Sequence, residues 1–265
     1  MSYAKAPFAT RLSRSLRLLR SLWSAATQMR RLQPNDLNER NRLLQTAGSR
    51  MLAALDIEVI TDSPAQPTPH PTGHLIVANH ISWLDIFALT AYYPGSFIAM
   101  KEILSWPLLG TIVRNAGTVF IDRKNKKDID PINNAIAQSL QSGQNIIFFP
   151  EAKTSSGESV LPFKAALFQS AINTQTLIQP VALRYYDEAD QRTTLPSFAD
   201  VNLLVSFWRV ISMRKIRIRL DSTAPIDPKQ HQDASRFLLK DLAENEIRGH
   251  VMQDSPAPQA TDASA

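Results

Sequence analysis

The sequence predicts an α/β fold, a largely parallel sheet flanked by helices, preceded by a basic amphipathic two-helix segment. Three observations predict it. From residue 74 onward, short apolar runs of strand type alternate with helical patterns, the rhythm of parallel strands joined by crossover helices. Between residues 8 and 32, apolar residues recur at helical spacing with arginines beside them. Positive charge lies ahead of the alternation: residues 1–50 carry ten Lys/Arg against Asp36 and Glu39, a balance of +8, so with a net charge of +5 the remaining 215 residues sum to −3.

At 265 residues and 44% hydrophobic content, the chain suffices for one main domain with a full core. It contains no cysteine, which excludes disulfides, thiolate metal sites and a cysteine nucleophile. No apolar run approaches the ~18 residues a membrane span needs. Arginines interrupt the first apolar positions too often for a secretion signal.

In residues 8–32, Leu12, Leu16, Leu19, Trp23 and Ala26 form a stripe that Leu18 and Leu22 widen, with Arg11, Arg14, Arg17 and Arg20 beside it. Such a helix suits an anionic membrane surface, where apolar burial and charge attraction add. Packing on the domain is the plainer reading. Nucleic acid is not expected as a partner, because few aromatics interleave with the basic residues. Pro34-Asn35-Asp36 breaks the helix and caps a second one running to about Leu55, so residues 1–60 read as a helical membrane-surface segment. Residues 61–73 form a Pro-rich linker.

The main domain spans 74–252, with strands expected at 74–78, 96–100, 118–122, 145–149, 177–185 and 214–220. Helices are expected at 83–92, 107–115, 131–141, 162–173, 198–211 and 229–252. In 214–220, Lys215, Arg217 and Arg219 alternate with Ile216, Ile218 and Leu220, which reads as an edge strand blunted by charge. The apolar stretch 203–211 is too short to span a bilayer and reads as a buried helix. Residues 253–265 are rich in Pro, Ala, Ser and Thr and read as a disordered tail.

Chemistry concentrates at the strand ends, where ligands sit in α/β folds. The first strand runs into Asn79-His80-Ile81-Ser82-Trp83-Leu84-Asp85, which sets an imidazole beside a carboxylate, the arrangement of a general base with an orienting acid. Ser82-x-x-Asp85 also fits a capping box, which alone would account for Asp85. Later strand ends bring Lys101, Arg123, and the run Glu151, Ala152, Lys153, Thr154 and Ser155 to the same rim. Arg, Lys and hydroxyls together suit a phosphate, and no Gly-rich phosphate loop is present, so side chains would hold the anion. His70 and His74 are separated by Pro71 with no thiolate nearby, and no metal site is assigned.

Four blocks in order carry a resemblance: Asn79-His80-x-Ser82-x-x-Asp85, Gly117-x-x-Phe120-Ile121-x-Arg123, Phe149-Pro150-Glu151, and Ile178-Gln179-Pro180-Val181-Ala182. They resemble the glycerolipid acyltransferases with an HxxxxD block, of the 1-acyl-glycerol-3-phosphate acyltransferase type, from about His74 to Arg184. Lys101-Glu102 followed by Trp106-Pro107-Leu108-Leu109-Gly110 resembles the family's segment between the first two blocks. The third block departs from the family's Phe-Pro-Glu-Gly-Thr: Ala152 stands for the glycine, and Lys153-Thr154 for the next pair. An alanine there costs little unless the site needs φ > 0.

The resemblance implies that His80, oriented by Asp85, takes a proton from the free hydroxyl of a lysophospholipid, which attacks the thioester of acyl-CoA or acyl carrier protein. Direct transfer of this kind needs no cofactor and no enzyme nucleophile. Backbone N–H groups near the start of the Ser82 helix would stabilise the oxyanion. Lys101, Arg123, Glu151, Lys153, Thr154 and Ser155 would form the acceptor site, Arg123 and Lys101 holding the phosphate and Glu151 anchoring the third block. The expected product is phosphatidic acid, made at the cytoplasmic face of the membrane by a peripheral enzyme. The rival readings are O-acylation of a lyso-ornithine or other lysolipid, thioester hydrolysis, and a non-catalytic lipid carrier.

Overall fold

Successive side chains of a strand point to opposite faces, and in the strand that leads into His80 both faces are covered. Leu75 and Val77 meet one apolar layer, Ile76 and Ala78 the other, and all four are fully buried. The computed structural model describes residues 4–32, 36–61, 72–121 and 129–255. Among these, seven strands form one sheet: β1 (Ile57–Ile60), β2 (Leu75–Ala78), β3 (Ser96–Met100), β4 (Val119–Ile121), β5 (Ile146–Phe148), β6 (Ile178–Tyr186) and β7 (Ile216–Ser222). Their order is β1-β7-β6-β2-β5-β3-β4. Every neighbouring pair is parallel except β6 and β7.

Among the described residues, eight α-helices flank the sheet: α1 (Phe8–Arg31), α2 (Leu37–Ala54), α3 (Leu84–Tyr92), α4 (Leu109–Asn115), α5 (Ile129–Gln141), α6 (Gln169–Thr174), α7 (Leu203–Ser212) and α8 (Arg236–Met252). One face of the sheet packs on α1, α2, α3 and α7, and the other on α5, α6 and α8. Gly48 of α2 permits the close crossing of α2 over α3, since a Cβ there would lie 2.8 Å from the backbone of Phe87 and Ala91. That contact sets the helix that carries Asp85.

Several expectations shift. The strand at 214–220 was expected at an edge, but β1 pairs with it in parallel, from Ile57 against Ile216 to Ile60 against Arg219. β1 is the edge, and the charged face of β7 is neutralised by Lys215 and Arg217 on Glu58, Arg217 on Asp190, and Arg219 on Asp221. So the segment before residue 61 ends in a strand of the main sheet. The helix expected from 162 forms only from Ala166, first as a 3₁₀ turn. The preceding N–H groups are committed elsewhere, Leu161 to Glu151, Phe163 to Glu244 and Lys164 to the Pro150 carbonyl. α7 and α8 start late for a different reason: Asn202 and Ser235 are their N-caps, accepting from Val205 and Leu238.

α1 is both docked and exposed. Its buried side includes Leu18, Ala25, Ala26 and Met29. Arg14, 3% exposed, donates to the carbonyls of Ile211, Met213 and Arg214 and pairs with Asp56, so this arginine is structural. The opposite face leaves Phe8, Leu12, Leu16, Leu19 and Trp23 at 49–68% exposure. α7, read from sequence as buried, leaves Leu204 79% exposed and Trp208 half-exposed. No helix among the described residues is long and apolar enough to cross a membrane. Residues 62–71 of the expected linker and 256–265 of the expected tail lie outside the described residues.

Candidate active site

β2 ends at Ala78, and the chain must turn sharply to start α3 within a few residues. Asn79 secures that turn. Its side chain, fully buried, accepts from the Leu183 N–H at 2.7 Å and donates to the Leu183 carbonyl at 3.0 Å, clamping the end of β2 to β6. His80 follows at the rim. Its Nδ1 lies 2.9 Å from Asp85 Oδ2, and its ring stacks on Phe149 at 3.9 Å between centroids and 9° between planes. Nε2 has no hydrogen-bond partner among the described residues, and the side chain keeps 20% exposure. Imidazole is thus held in one orientation with one nitrogen free.

Asp85 is fully buried. Its Oδ2 accepts from the N–H groups of Ile81 at 2.7 Å and Ser82 at 2.8 Å as well as facing His80. One carboxylate thus contacts both the Ser82 N–H of the turn and the His80 ring, while the residue preceding α3 is Trp83, with no side-chain cap. The sequence reading offered N–H groups near the start of this helix to an oxyanion. Those of Ile81 and Ser82 donate to Asp85 instead, and the Leu84 N–H leans on Ser82 Oγ at 3.4 Å.

Glu151, 3% exposed, lies behind the rim rather than in it. Oε1 accepts from the His80 N–H at 2.7 Å, and Oε2 from the Leu161 N–H at 2.9 Å. Burial pushes its carboxyl up to about 7, against the opposing pull of the two backbone donors. Ser155 also faces inward: its N–H donates to the His80 carbonyl at 2.7 Å and its hydroxyl reaches the same oxygen at 3.2 Å. Glu151 and Ser155 thus grip the histidine backbone from both sides, and neither presents its side chain to the open rim. Between them, Ala152 adopts φ +60°, Lys153 is exposed and Thr154 half-buried. The αL conformation at Ala152 is the condition under which alanine is costly.

Lys101 is exposed just past the end of β3, two strands from β2, which sets it on the order of 10 Å along the rim. It lines a cavity of about 620 Å³ between β4 and α5, together with Thr118, Phe120, Pro131 and Gln138. His80 is not among its lining residues. Arg123 lies outside the described residues. Two site residues escape sequence reading. Phe149 stands in the third block as an apparent core residue. Tyr185 donates its hydroxyl to Asp85 Oδ1 at 2.5 Å from β6, 100 residues away in sequence.

The chain's residues 59–184 match the family model described as Acyltransferase. Across 255 residues the chain is 50% identical to a 1-acyl-sn-glycerol-3-phosphate acyltransferase of Neisseria meningitidis serogroup B, covering 96% of this chain and 98% of that protein. It is 35% identical over 200 residues to a lyso-ornithine lipid O-acyltransferase of Pseudomonas aeruginosa, covering 75% and 74%. The fold resembles the crystal structure of the 1-acyl-sn-glycerophosphate (LPA) acyltransferase PlsC from Thermotoga maritima, with a TM-score of 0.62 at 22% identity over 91% of this chain and 96% of that one.

Proposed function

The chain belongs to the acyltransferase family and is an acyltransferase; on that premise we propose that it moves a fatty acyl group from acyl-CoA or acyl carrier protein to the free hydroxyl of 1-acyl-glycerol-3-phosphate, giving phosphatidic acid in phospholipid biosynthesis. The observation that carries the reading is His80, whose Nδ1 is held by the fully buried Asp85 and whose Nε2 has no hydrogen-bond partner among the described residues. Nε2 takes the proton of the acceptor hydroxyl as its oxygen attacks the thioester carbonyl. The C–O bond forms and the C–S bond breaks, and the departing thiolate takes the proton back from the imidazolium. Lysophosphatidate is favoured as acceptor by 50% identity over nearly the whole length with an enzyme of that name, against 35% with the lyso-ornithine enzyme. Lys101, Lys153, Thr154 and Arg123 are the proposed phosphate contacts, with Glu151 and Ser155 holding the loop that bears two of them.

The enzyme is proposed to act at the cytoplasmic face of an anionic membrane, bound peripherally. Support comes from the apolar face of α1 and its neighbour α7. Arg11 lies 5.8 Å from the Phe8 ring and 5.0 Å from the Trp208 ring, joining the two exposed faces. Trp and Leu with arginine between them match the chemistry of an anionic interface.

The test is transfer of labelled acyl from acyl-CoA to lysophosphatidate, wild type beside His80→Ala. The expected result is phosphatidic acid from the wild type and a loss of ~10²–10⁴-fold in the variant. Equal rates would overturn the base assignment. Turnover of lyso-ornithine lipid alone would move the acceptor, and release of free fatty acid alone would make water the acceptor.

A further inference from the structure

Oδ2 of Asp85 faces three donors from its own turn, namely His80 Nδ1 and the N–H groups of Ile81 and Ser82. Its other oxygen, Oδ1, meets a donor from elsewhere in the fold, the Tyr185 hydroxyl. Both side chains are fully buried, so water does not compete. Tyr185 is seated firmly: it lies within β6, paired with Ile218 of β7, in a strand whose nine residues are all buried. It sits two residues beyond Leu183, which Asn79 clamps. The carboxylate is therefore tied to the sheet as well as to its own turn.

We infer that Tyr185 is a positioning residue of the acyl-transfer reaction, acting through Asp85 on His80; the inference rests on the acyltransferase reading above. Three donors on Oδ2 fix where that oxygen is, but they leave the carboxylate plane to be set by what Oδ1 meets. A donor rooted in the sheet sets the plane so that Oδ2 stays in line with His80 Nδ1. The same bond draws electron density from the carboxylate and so moderates its hold on an imidazolium proton. Burial, and then the Asp85 charge, push the Tyr185 hydroxyl well above the ordinary phenol range, so it remains a donor at every working pH. Among the described residues, a second titratable group beside His80 is Glu151, which contacts its backbone N–H rather than its ring.

The experiment compares pH profiles of kcat and KM for wild type, Tyr185→Phe, and protein carrying 3,5-difluorotyrosine at 185. Tyr185→Phe is expected to lower kcat about tenfold, with KM for the lysolipid unchanged because the ring meets no substrate. The acid limb of its kcat profile should move about 0.5 unit to higher pH, since Asp85 then holds the imidazolium proton more tightly. Difluorotyrosine fills nearly the same space and is the stronger donor, so its limb should move to lower pH. A merely structural tyrosine would not shift the two limbs in opposite directions. In an Asp85→Asn background, Tyr185→Phe should cost little more.

Unchanged profiles, or shifts of one sign in both variants, overturn the inference. If Tyr185→Phe does not fold, the difluorotyrosine protein decides alone. A wild type that turns over no acceptor would sink the acyl-transfer reading instead. Titration of the His80 ring by NMR then still reads the effect of residue 185 without substrate.

Discussion

Ala152 holds a backbone conformation that an L-residue with a Cβ dislikes, at φ +60° and exposed on the loop between Glu151 and Lys153. The left-handed region costs a non-glycine residue about 1 kcal/mol or more. It persists because its neighbours are over-determined: Glu151 is fixed by two backbone donors, and the Ala152 N–H donates to the Phe149 carbonyl. Ala152→Gly is expected to raise stability by up to about 1 kcal/mol, less whatever glycine adds to unfolded-chain freedom. Urea unfolding checks this as a higher midpoint at unchanged slope. A lower midpoint would show that the alanine methyl makes a contact worth more than the strain.

At the scale of elements, α1 answers to two demands. Its buried stripe and Arg14 dock it on α2, α7 and the start of β7, while Leu12, Leu16, Leu19 and Trp23 continue a second apolar face into solvent. Deleting residues 1–32 would therefore remove core side chains along with the proposed membrane face. Point changes on the exposed face separate the two. Leu16→Glu and Leu204→Glu are each expected to cut recovery with anionic vesicles about tenfold or more, because each forfeits the burial of one leucine. The thermal midpoint should hold, since both side chains are exposed. Unchanged pelleting of both variants would sink the membrane reading of this surface. α7 is also tied to the turn that bears His80, through Trp83 Nε1 donating to Ser206 Oγ at 3.1 Å, and the chain leading into α7 is tied to it through the Phe198 N–H donating to the Ile81 carbonyl at 2.8 Å. A bilayer touching α7 thus touches an element that holds His80's own loop.

For the molecule as a whole, the Glu151 carboxyl links stability to pH. Its folded value of about 7 lies above the ordinary 4.5 because burial disfavours the charge. The folded state then binds the proton more tightly than the unfolded chain, so this contribution is full below pH 4.5 and is lost as pH rises toward 7. Burial depresses His74, which works in the opposite direction below its ordinary 6.5. The paired carboxylates Asp56, Glu58 and Asp254, all held below their ordinary values, act at lower pH still. Comparison with Glu151→Gln isolates the one group. The stability difference between wild type and variant should change by on the order of 2 kcal/mol between pH 5 and 7.5, wild type losing with rising pH. A pH-independent difference, read by urea unfolding across that range, would contradict the shift. At the far end of the chain Asp254 pairs with Arg184 and Arg192, and the Ser255 hydroxyl reaches the Glu158 carbonyl, so the residues just past α8 brace the same loop region that Glu151 anchors.

The chain by itself determined the alternation of strand and helix, the parallel sheet, and the rim on which His80, Lys101 and the Glu151–Ser155 loop gather. Each of these follows from local periodicity and from the rule that parallel strands end on one edge. His80 and Asp85 were legible because they lie five residues apart on one turn. Tertiary structure alone decided the rest. β1 is a four-residue strand that local pattern cannot separate from the end of a helix, and it becomes a strand by pairing with β7, about 160 residues on. Glu151 and Ser155 look like rim ligands in sequence, yet burial and the backbone of His80, about 70 residues earlier, claim their polar atoms. Tyr185 reads as a strand residue until the fold lays β6 beside β2 and brings its hydroxyl to Asp85. Contacts between residues this far apart leave no periodicity to read; they exist only once the sheet has set its strand order.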